Sequence, residues 1–273
     1  MADVARVQTA LVAWYRQQAR DLPWRHTRDP YAILVSEVML QQTQVDRVIP
    51  KWFAWLARFP TLADLASEPR AEAIRAWQGL GYNLRAVRLH AIAAQAVAEF
   101  GGELPRNVTG LMRLKGIGRY TAAAVACFAY EQPVAMVDTN VRRVLSRVFA
   151  VDPTRVEAMA QLVVPTAEAY VWNQALMDLG ATLCRPRQPL CLVCPLLSEC
   201  GGPRQTGSKI GPSGEFRNSN RYHRGRILDE LRNVSALPFG ELAARHGGRT
   251  DLVERLIADG LLEREGDAVR LAR

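Results

Sequence analysis

Four cysteines, Cys184, Cys191, Cys194 and Cys200, stand in a C-x6-C-x2-C-x5-C array, and the chain holds only one more, Cys127. Thiolates this dense can wrap one compact centre, either an iron–sulfur cluster or a tetrahedral zinc. The plainer alternative is a set of buried or disulfide-bonded thiols. Zinc sites tend to pair two C-x2-C knuckles, and this array has one. Two carboxylates upstream sit in unlike settings. Glu37 interrupts the apolar run Ile33-Leu34-Val35-Ser36-Glu37-Val38-Met39-Leu40, where a carboxylate is costly unless it faces solvent or a cleft. In a cleft, desolvation would raise its pKa and let it keep a proton at neutral pH. Asp138 stands at a predicted helix start, between Val137 and Thr139-Asn140-Val141-Arg142-Arg143-Val144-Leu145. An N-cap is the commonest role for an aspartate there. One protonated acid paired with one ionised carboxylate is the apparatus that breaks glycosidic bonds through an oxocarbenium-like state. A nucleoside's N-glycosidic bond poses the same problem.

A third motif, Leu114-Lys115-Gly116-Ile117-Gly118-Arg119-Tyr120-Thr121, lies between two helical patterns. Glycines one residue apart allow a sharp turn and leave amide N–H groups uncovered at the next helix start, an anion site by nature. A G-x-G pair alone also fits a plain interhelical turn. The adjacent Lys115 and Arg119 add positive charge, and the chain as a whole carries a formal +8 with a pI near 9.6, a balance that suits a polyanionic partner.

The elements that must position these groups read as helices. An apolar period runs through Val4, Val7, Leu11, Val12 and Tyr15, and Leu22-Pro23-Trp24-Arg25 with Asp29-Pro30 breaks it. Further helices are predicted over 31–44, 47–58, 61–66, 70–78, 83–100, 107–113, 119–129, 140–149, 154–169 and 171–183. Cys127 falls in a small apolar helix and reads as a packed free thiol. No sustained strand alternation occurs between Tyr31 and Arg147, and with the helices that follow the class is all-α. Residues 201–225, rich in Gly, Pro, Ser and basic residues, read as a flexible linker. Helices over 226–232, 239–246 and 250–259 and a hairpin over 261–271 then follow in the order of a winged helix; whether that tail touches DNA or only packs is left open. A signal core and a membrane-length segment are both missing from the pattern, so the expectation is a soluble, cytoplasmic, nucleoid-associated protein without a membrane partner, in a compartment where thiolates stay reduced.

Taken together, Leu22-Pro23-Trp24-Arg25, Asp29-Pro30-Tyr31, Ser36-Glu37-Val38-Met39-Leu40-Gln41-Gln42-Thr43-Gln44-Val45, Gly79-Leu80-Gly81-Tyr82, the Gly-x-Gly hairpin, Val137–Leu145 and the cysteine loop occur in this order. The series resembles the MutY-type adenine DNA glycosylases of the endonuclease III, helix–hairpin–helix superfamily, over roughly residues 5 to 200. The resemblance implies a two-lobed helix–hairpin–helix glycosylase fold: residues 1–22 and 131–200 forming a lobe around a 4Fe–4S cluster held by the four cysteines, 23–130 a helical lobe with the hairpin, 201–225 the linker and 226–273 the winged-helix-like tail. It implies a monomer acting in base excision repair on mispaired double-stranded DNA, releasing adenine opposite 8-oxoguanine or guanine. By position, Glu37 would protonate the departing adenine and later serve the water, and Asp138, supported by Asn140, would stabilise the cationic sugar. Gln42 and Tyr82 would insert into the duplex. Leu40 and Val45 share that DNA-facing run. Trp24, Arg25 and Gln174 would contact the base, and Lys115, Gly116 and Gly118 the phosphates. Extrusion of the base makes a wedge and a pocket physically necessary.

Tyr120 stands where bifunctional relatives carry the lysine that forms a Schiff base. A phenol cannot do so, which implies a monofunctional enzyme using water. Two departures bear on substrate. The tail is too short and too helical to match the β-rich domain with which many MutY proteins read 8-oxoguanine. Asp138-Thr139-Asn140 replaces the more usual Asp-Gly-Asn, and with Tyr120 it is also similar to mismatch glycosylases that remove thymine or uracil opposite guanine. A DNA-binding module without catalysis is the alternative from another class.

Overall fold

The structure is a computed structural model that describes residues 2–202 and 219–273. Most of the expected linker therefore lies outside the described residues. The chain divides into two compact units, Met1–Ile33, Pro105–Met112 and Gly118–Lys209 in one, Leu34–Leu104, Arg113–Ile117 and Ile210–Arg273 in the other. Residues 23–33, 105–112 and 118–130, expected with the helical lobe, thus belong with the cysteine loop, and the tail belongs with residues 34–104.

In the first unit, α1 (Val4–Gln18) begins where the Asp3 carboxylate accepts from the amides of Ala5 and Arg6, the usual remedy for unpaired first-turn donors. Its Val7, Leu11 and Tyr15 pack into one core with α9 (Thr139–Val148), α10 (Val156–Val163) and α11 (Ala169–Thr182), where Trp172, Leu176 and Leu179 are buried. Following α7 (Val108–Leu111), α8 (Arg119–Tyr130) is buried from Thr121 to Phe128, half of it alanine, as expected of a helix enclosed on all sides. Cys127 is 0% exposed, accepts from the Asn173 side chain, and burial pushes its thiol up to about 11. It is the inert packed thiol that the sequence indicated.

In the second unit, α3 (Val45–Arg58), α4 (Leu62–Ser67), α5 (Arg70–Ala76) and α6 (Leu84–Phe100) surround Trp55, Phe59 and Trp77, with Trp55 and Trp77 edge to face at 5.4 Å. A Thr61–Asp64 capping box starts α4. The tail is α12 (Asn220–Arg232), β1 (Leu237–Pro238), α13 (Phe239–Arg245), α14 (Thr250–Ala258), β2 (Leu262–Glu265) and β3 (Ala268–Leu271), with an antiparallel sheet ordered β1-β3-β2. This is the winged-helix order, with one strand more than the expected hairpin. It shares a core with α5: Ala71 and Ile74 pack among Ile227, Leu228, Leu231, Leu252 and Val269. Arg232 reinforces the joint by donating to the Ile74 carbonyl and to Asn83 Oδ1.

Three expected boundaries move. The helix predicted over 31–44, α2 (Pro30–Leu40), ends at Leu40. That over 154–169 is a single 3-10 turn, Pro153–Arg155, followed by α10, which stops at Val163. The tail's first helix begins at Asn220, inside the stretch expected to be linker, where the Ser219 hydroxyl accepts from the Tyr222 amide. Among the described residues no helix is long and apolar enough to cross a membrane.

Candidate active site and nucleic-acid interface

Asp29 starts α2, its carboxylate accepting from the Tyr31 and Ala32 amides. Every residue from Tyr31 to Met39 is buried. Glu37 is only 4% exposed, so the solvent-facing alternative fails and the carboxyl is withdrawn from water.

Asp138 is the N-cap of α9: its Oδ1 accepts from the Val141 amide at 2.7 Å and its Oδ2 from Asn140 Nδ2 at 3.0 Å. The cap and the functional reading are compatible, since capping fixes the carboxylate at a helix start while leaving it half-buried. A relay runs back from it. Asn140 Oδ1 accepts from Arg143 at 2.8 Å, and Arg143 donates to the carbonyls of Gly180 and Cys184. A Cβ at Gly180 would lie 2.8 Å from that of Asn140, so only glycine lets α11 approach so closely. The cysteine loop and the aspartate are thereby tied by one buried guanidinium.

The four cluster cysteines line one small pocket walled by Val148, Leu179, Leu183 and Leu190, and all are free thiols. Arg147 donates to Cys184 Sγ at 3.4 Å and to the Arg185 carbonyl at 2.7 Å. Burial pushes the Cys194 and Cys200 thiols up. Among the described residues no three Cys, His, Asp or Glu side chains are placed to hold a single metal ion.

Leu114 and Ile117 are buried and anchor the hairpin turn, while Lys115, Gly116, Gly118 and Arg119 are exposed. Gly116, at φ +107, requires glycine; Gly118 is extended, and a Cβ there would meet nothing within 4 Å, so neither backbone nor packing demands glycine at that position. The expectation that both glycines make the turn is corrected accordingly. With no side chain capping α8, its first amides are open to an anion. Tyr120 lines a pocket of about 130 Å³ with Val137, Glu157 and Gln161.

Gln42 and Tyr82 both adopt left-handed backbone, at φ 58 and φ 46, and both are exposed. Strain of this kind in non-glycine residues gathers at functional sites. Leu40 and Val45 flank the Gln42 turn, half-buried. One residue that the sequence did not single out braces both turns. Arg85, 4% exposed, donates to the carbonyls of Val38, Met39 and Gln41 and the Thr43 hydroxyl on one side and to the carbonyls of Leu80, Gly81 and Tyr82 on the other. Burial lowers its pKa to about 10, so it remains charged at neutral pH.

Arg25 is engaged in a buried ion pair. Its guanidinium grips Asp178 with two hydrogen bonds of 2.8 Å, and Arg20 joins at 2.7 Å. Asp178 is 0% exposed. Burial alone would raise its pKa, but the two guanidinium groups outweigh that and hold it below the usual carboxylate range. Asp178→Asn is expected to lower stability by about 3–5 kcal/mol at neutral pH, because it leaves buried guanidinium uncompensated. A group with a depressed folded pKa stabilises above its unfolded value, near 4, and stops doing so as pH falls through the folded one. Urea melts of the two proteins should therefore diverge at pH 7 and converge well below pH 4. Trp24 and Gln174 are buried, 7% and 4% exposed.

The profile of the HhH-GPD superfamily base excision DNA repair proteins matches residues 35–167. An adenine DNA glycosylase of Mycolicibacterium smegmatis is 42% identical over 94% of this chain and 92% of its own. That of Rattus norvegicus is 45% identical over 76% of this chain, which spans only 43% of the rat protein. Among solved structures, a thermostable thymine-DNA glycosylase superposes with TM-score 0.69 at 32% identity, covering 72% of this chain and 94% of its own. A trapped endonuclease III–DNA covalent intermediate gives 0.63 at 25% identity, covering 73% and 96%.

Proposed function

The chain belongs to the HhH-GPD superfamily of base excision DNA repair proteins, and we propose that within it the protein is a monofunctional glycosylase that hydrolyses the N-glycosidic bond of adenine mispaired with 8-oxoguanine or guanine. The observation that carries this reading is a carboxyl, Glu37, buried in the Glu-Val-Met-Leu-Gln-Gln-Thr run of a chain so alike, end to end, to a protein named adenine DNA glycosylase. Withdrawal from water favours the protonated carboxyl. Glu37 gives its proton to adenine as the C1′–N9 electron pair departs with the base. Asp138, with both oxygens already accepting N–H donors, supplies the negative charge that the oxocarbenium-like sugar needs. Water then adds to C1′ and returns a proton to Glu37, leaving an abasic site. Tyr120, having no amine, forms no Schiff base.

The partner is double-stranded DNA. The Gly116 turn and the α8 amides hold phosphates without reading sequence, and Gln42 and Tyr82 enter the stack as the base leaves it. Lys115 adds charge beside that turn. Trp24 and Gln174 line the adenine pocket, with Arg25 placing Trp24 through Asp178. The cysteine set fits a 4Fe–4S cluster: four free thiols ring one pocket walled by Val148, Leu179, Leu183 and Leu190, the donor set that such a cluster takes. When bound, such a cluster cross-links residues 184–200; Arg143 and Asn140 carry that rigidity to Asp138.

The likeness to a thymine-DNA glycosylase structure, with Thr139 and Tyr120, favours one rival, removal of thymine or uracil opposite guanine. Purified protein given duplexes with A opposite 8-oxoguanine, A opposite G, and T or U opposite G is expected to make alkali-labile sites at adenine alone. Release confined to the pyrimidine mispairs overturns the adenine reading.

A further inference from the structure

We infer that Gln95, on α6, is a positioning residue of the DNA grip: its side-chain amide holds the hairpin turn in the shape that presents the Gly116 amide and the Lys115 ammonium to a phosphate. The phosphate rests on the reading above; the hydrogen bonds that hold the turn do not depend on it.

The turn Arg113–Ile117 is grouped with α6 and not with α7 or α8, and its anchors explain why. Gln95 Oε1 accepts from the Lys115 amide at 2.8 Å, and Gln95 Nε2 donates to the Arg113 carbonyl at 3.2 Å. One side-chain amide thus stands in for a neighbouring backbone and joins the turn on both sides of Leu114. Glu99, one helical turn further on, accepts from the same Nε2 at 3.1 Å. Two acceptors at the nitrogen and a donor at the oxygen fix which way the amide faces. The Arg113 guanidinium lies over the Phe100 ring, 5.2 Å from its centroid. A Cβ at Gly116 would stand 3.6 Å from the Arg88 stem and 3.7 Å from Ile92. Arg88, Ile92, Gln95 and Glu99 recur at helical spacing, so one face of α6 underlies the turn.

This arrangement decides which amide points outward. The Lys115 N–H goes to Gln95 and the Ile117 N–H to the Leu114 carbonyl at 3.1 Å, while the Gly116 amide between them has no acceptor among the described residues. An uncovered N–H beside an exposed lysine suits a phosphate oxygen. Without Gln95 the Lys115 amide loses its acceptor, and Gly116, at φ +107, loses the restraint that holds its neighbours. The same helix fixes the Gln42 and Tyr82 turns through Arg85, ten residues before Gln95. At 1.5 Å of rise per residue, α6 separates the support of the inserting turns from that of the phosphate turn by about 15 Å. Phosphate contacts carry no sequence information, so Gln95 acts on affinity and not on the choice of base pair.

The test is Gln95→Met, which keeps the length and helix preference of the side chain and loses both hydrogen bonds. It is made alone and together with Gly116→Ala, a change that the positive φ does not accept. Binding to mispaired and fully paired duplexes is followed by fluorescence anisotropy across a range of salt, and thermal melts establish that each protein is folded. Gln95→Met should weaken binding roughly 5- to 50-fold, equally on both duplexes, and make the slope of log K against log salt shallower by about one. Added to Gly116→Ala it should cost little more, because the turn that Gln95 shapes is already spoiled. Affinity or slope as in the wild type, a loss confined to the mispaired duplex, or full additivity with Gly116→Ala overturns the assignment. Wild-type protein that binds duplex in this Gln95-dependent way yet releases no adenine defeats the excision reading alone.

Discussion

Glu37→Gln is expected to bind a mispaired duplex as tightly as the wild-type protein and to release adenine roughly 10²–10⁴-fold more slowly, the usual contribution of a positioned general acid. The substitution keeps the shape of a side chain that is 4% exposed, so packing in α2 is preserved while the transferable proton is lost. The amide also cannot take the proton from water in the second half of the reaction. Asp138→Asn is a less clean probe, because Asp138 Oδ1 caps α9 and stability and rate would change together. Binding by anisotropy and single-turnover release, measured on the same preparation, separate the two effects. A Glu37→Gln protein that releases adenine at the wild-type rate removes the acid from the mechanism.

Arg85→Ala should be the most damaging substitution outside the chemistry. It strips donors from six carbonyls and the Thr43 hydroxyl in two turns, though the Gly81 carbonyl keeps Trp77, and buried acceptors without partners cost about 1–3 kcal/mol each when water cannot reach them. Relaxation and water entry limit the sum to the range of a severe core mutation, about 4–5 kcal/mol. Lysine at this position keeps the charge but cannot span both turns with its compact head. Arg85→Lys is therefore expected to fold, melt lower, and lose discrimination between mispaired and fully paired DNA as Gln42 and Tyr82 leave their left-handed conformations. A denaturation curve and a paired-versus-mispaired binding ratio report the two losses.

Much of the site is legible in residue order, because its chemistry is local. The cysteine spacing, the Asp138 cap, the Gly116 turn and the buried Cys127 each follow from a few neighbouring residues. What the sequence hides depends on distant partners. Gln41-Gln42-Thr43-Gln44 are acceptable helix formers, so the predicted helix runs on to 44. The real end at Leu40 is imposed by Arg85, which takes the last carbonyls of α2 from 46 and 47 positions away. The start of α12 reads as basic linker because its apolar counterparts, Ala71 and Ile74, lie far upstream. The ion pair of Arg25 is not foreseen, since nothing nearby discloses Asp178, 153 positions on. In each case a long-range polar or apolar partner overrides local propensity.

One product analysis tests the hydrolytic two-acid account most directly. Under single turnover on a duplex with adenine opposite 8-oxoguanine, with borohydride present, free adenine and alkali-labile sites are counted together. The account predicts one adenine per abasic site, an intact strand until alkali is added, and no protein–DNA adduct. A borohydride-trapped covalent complex, or strand scission before alkali, would contradict it.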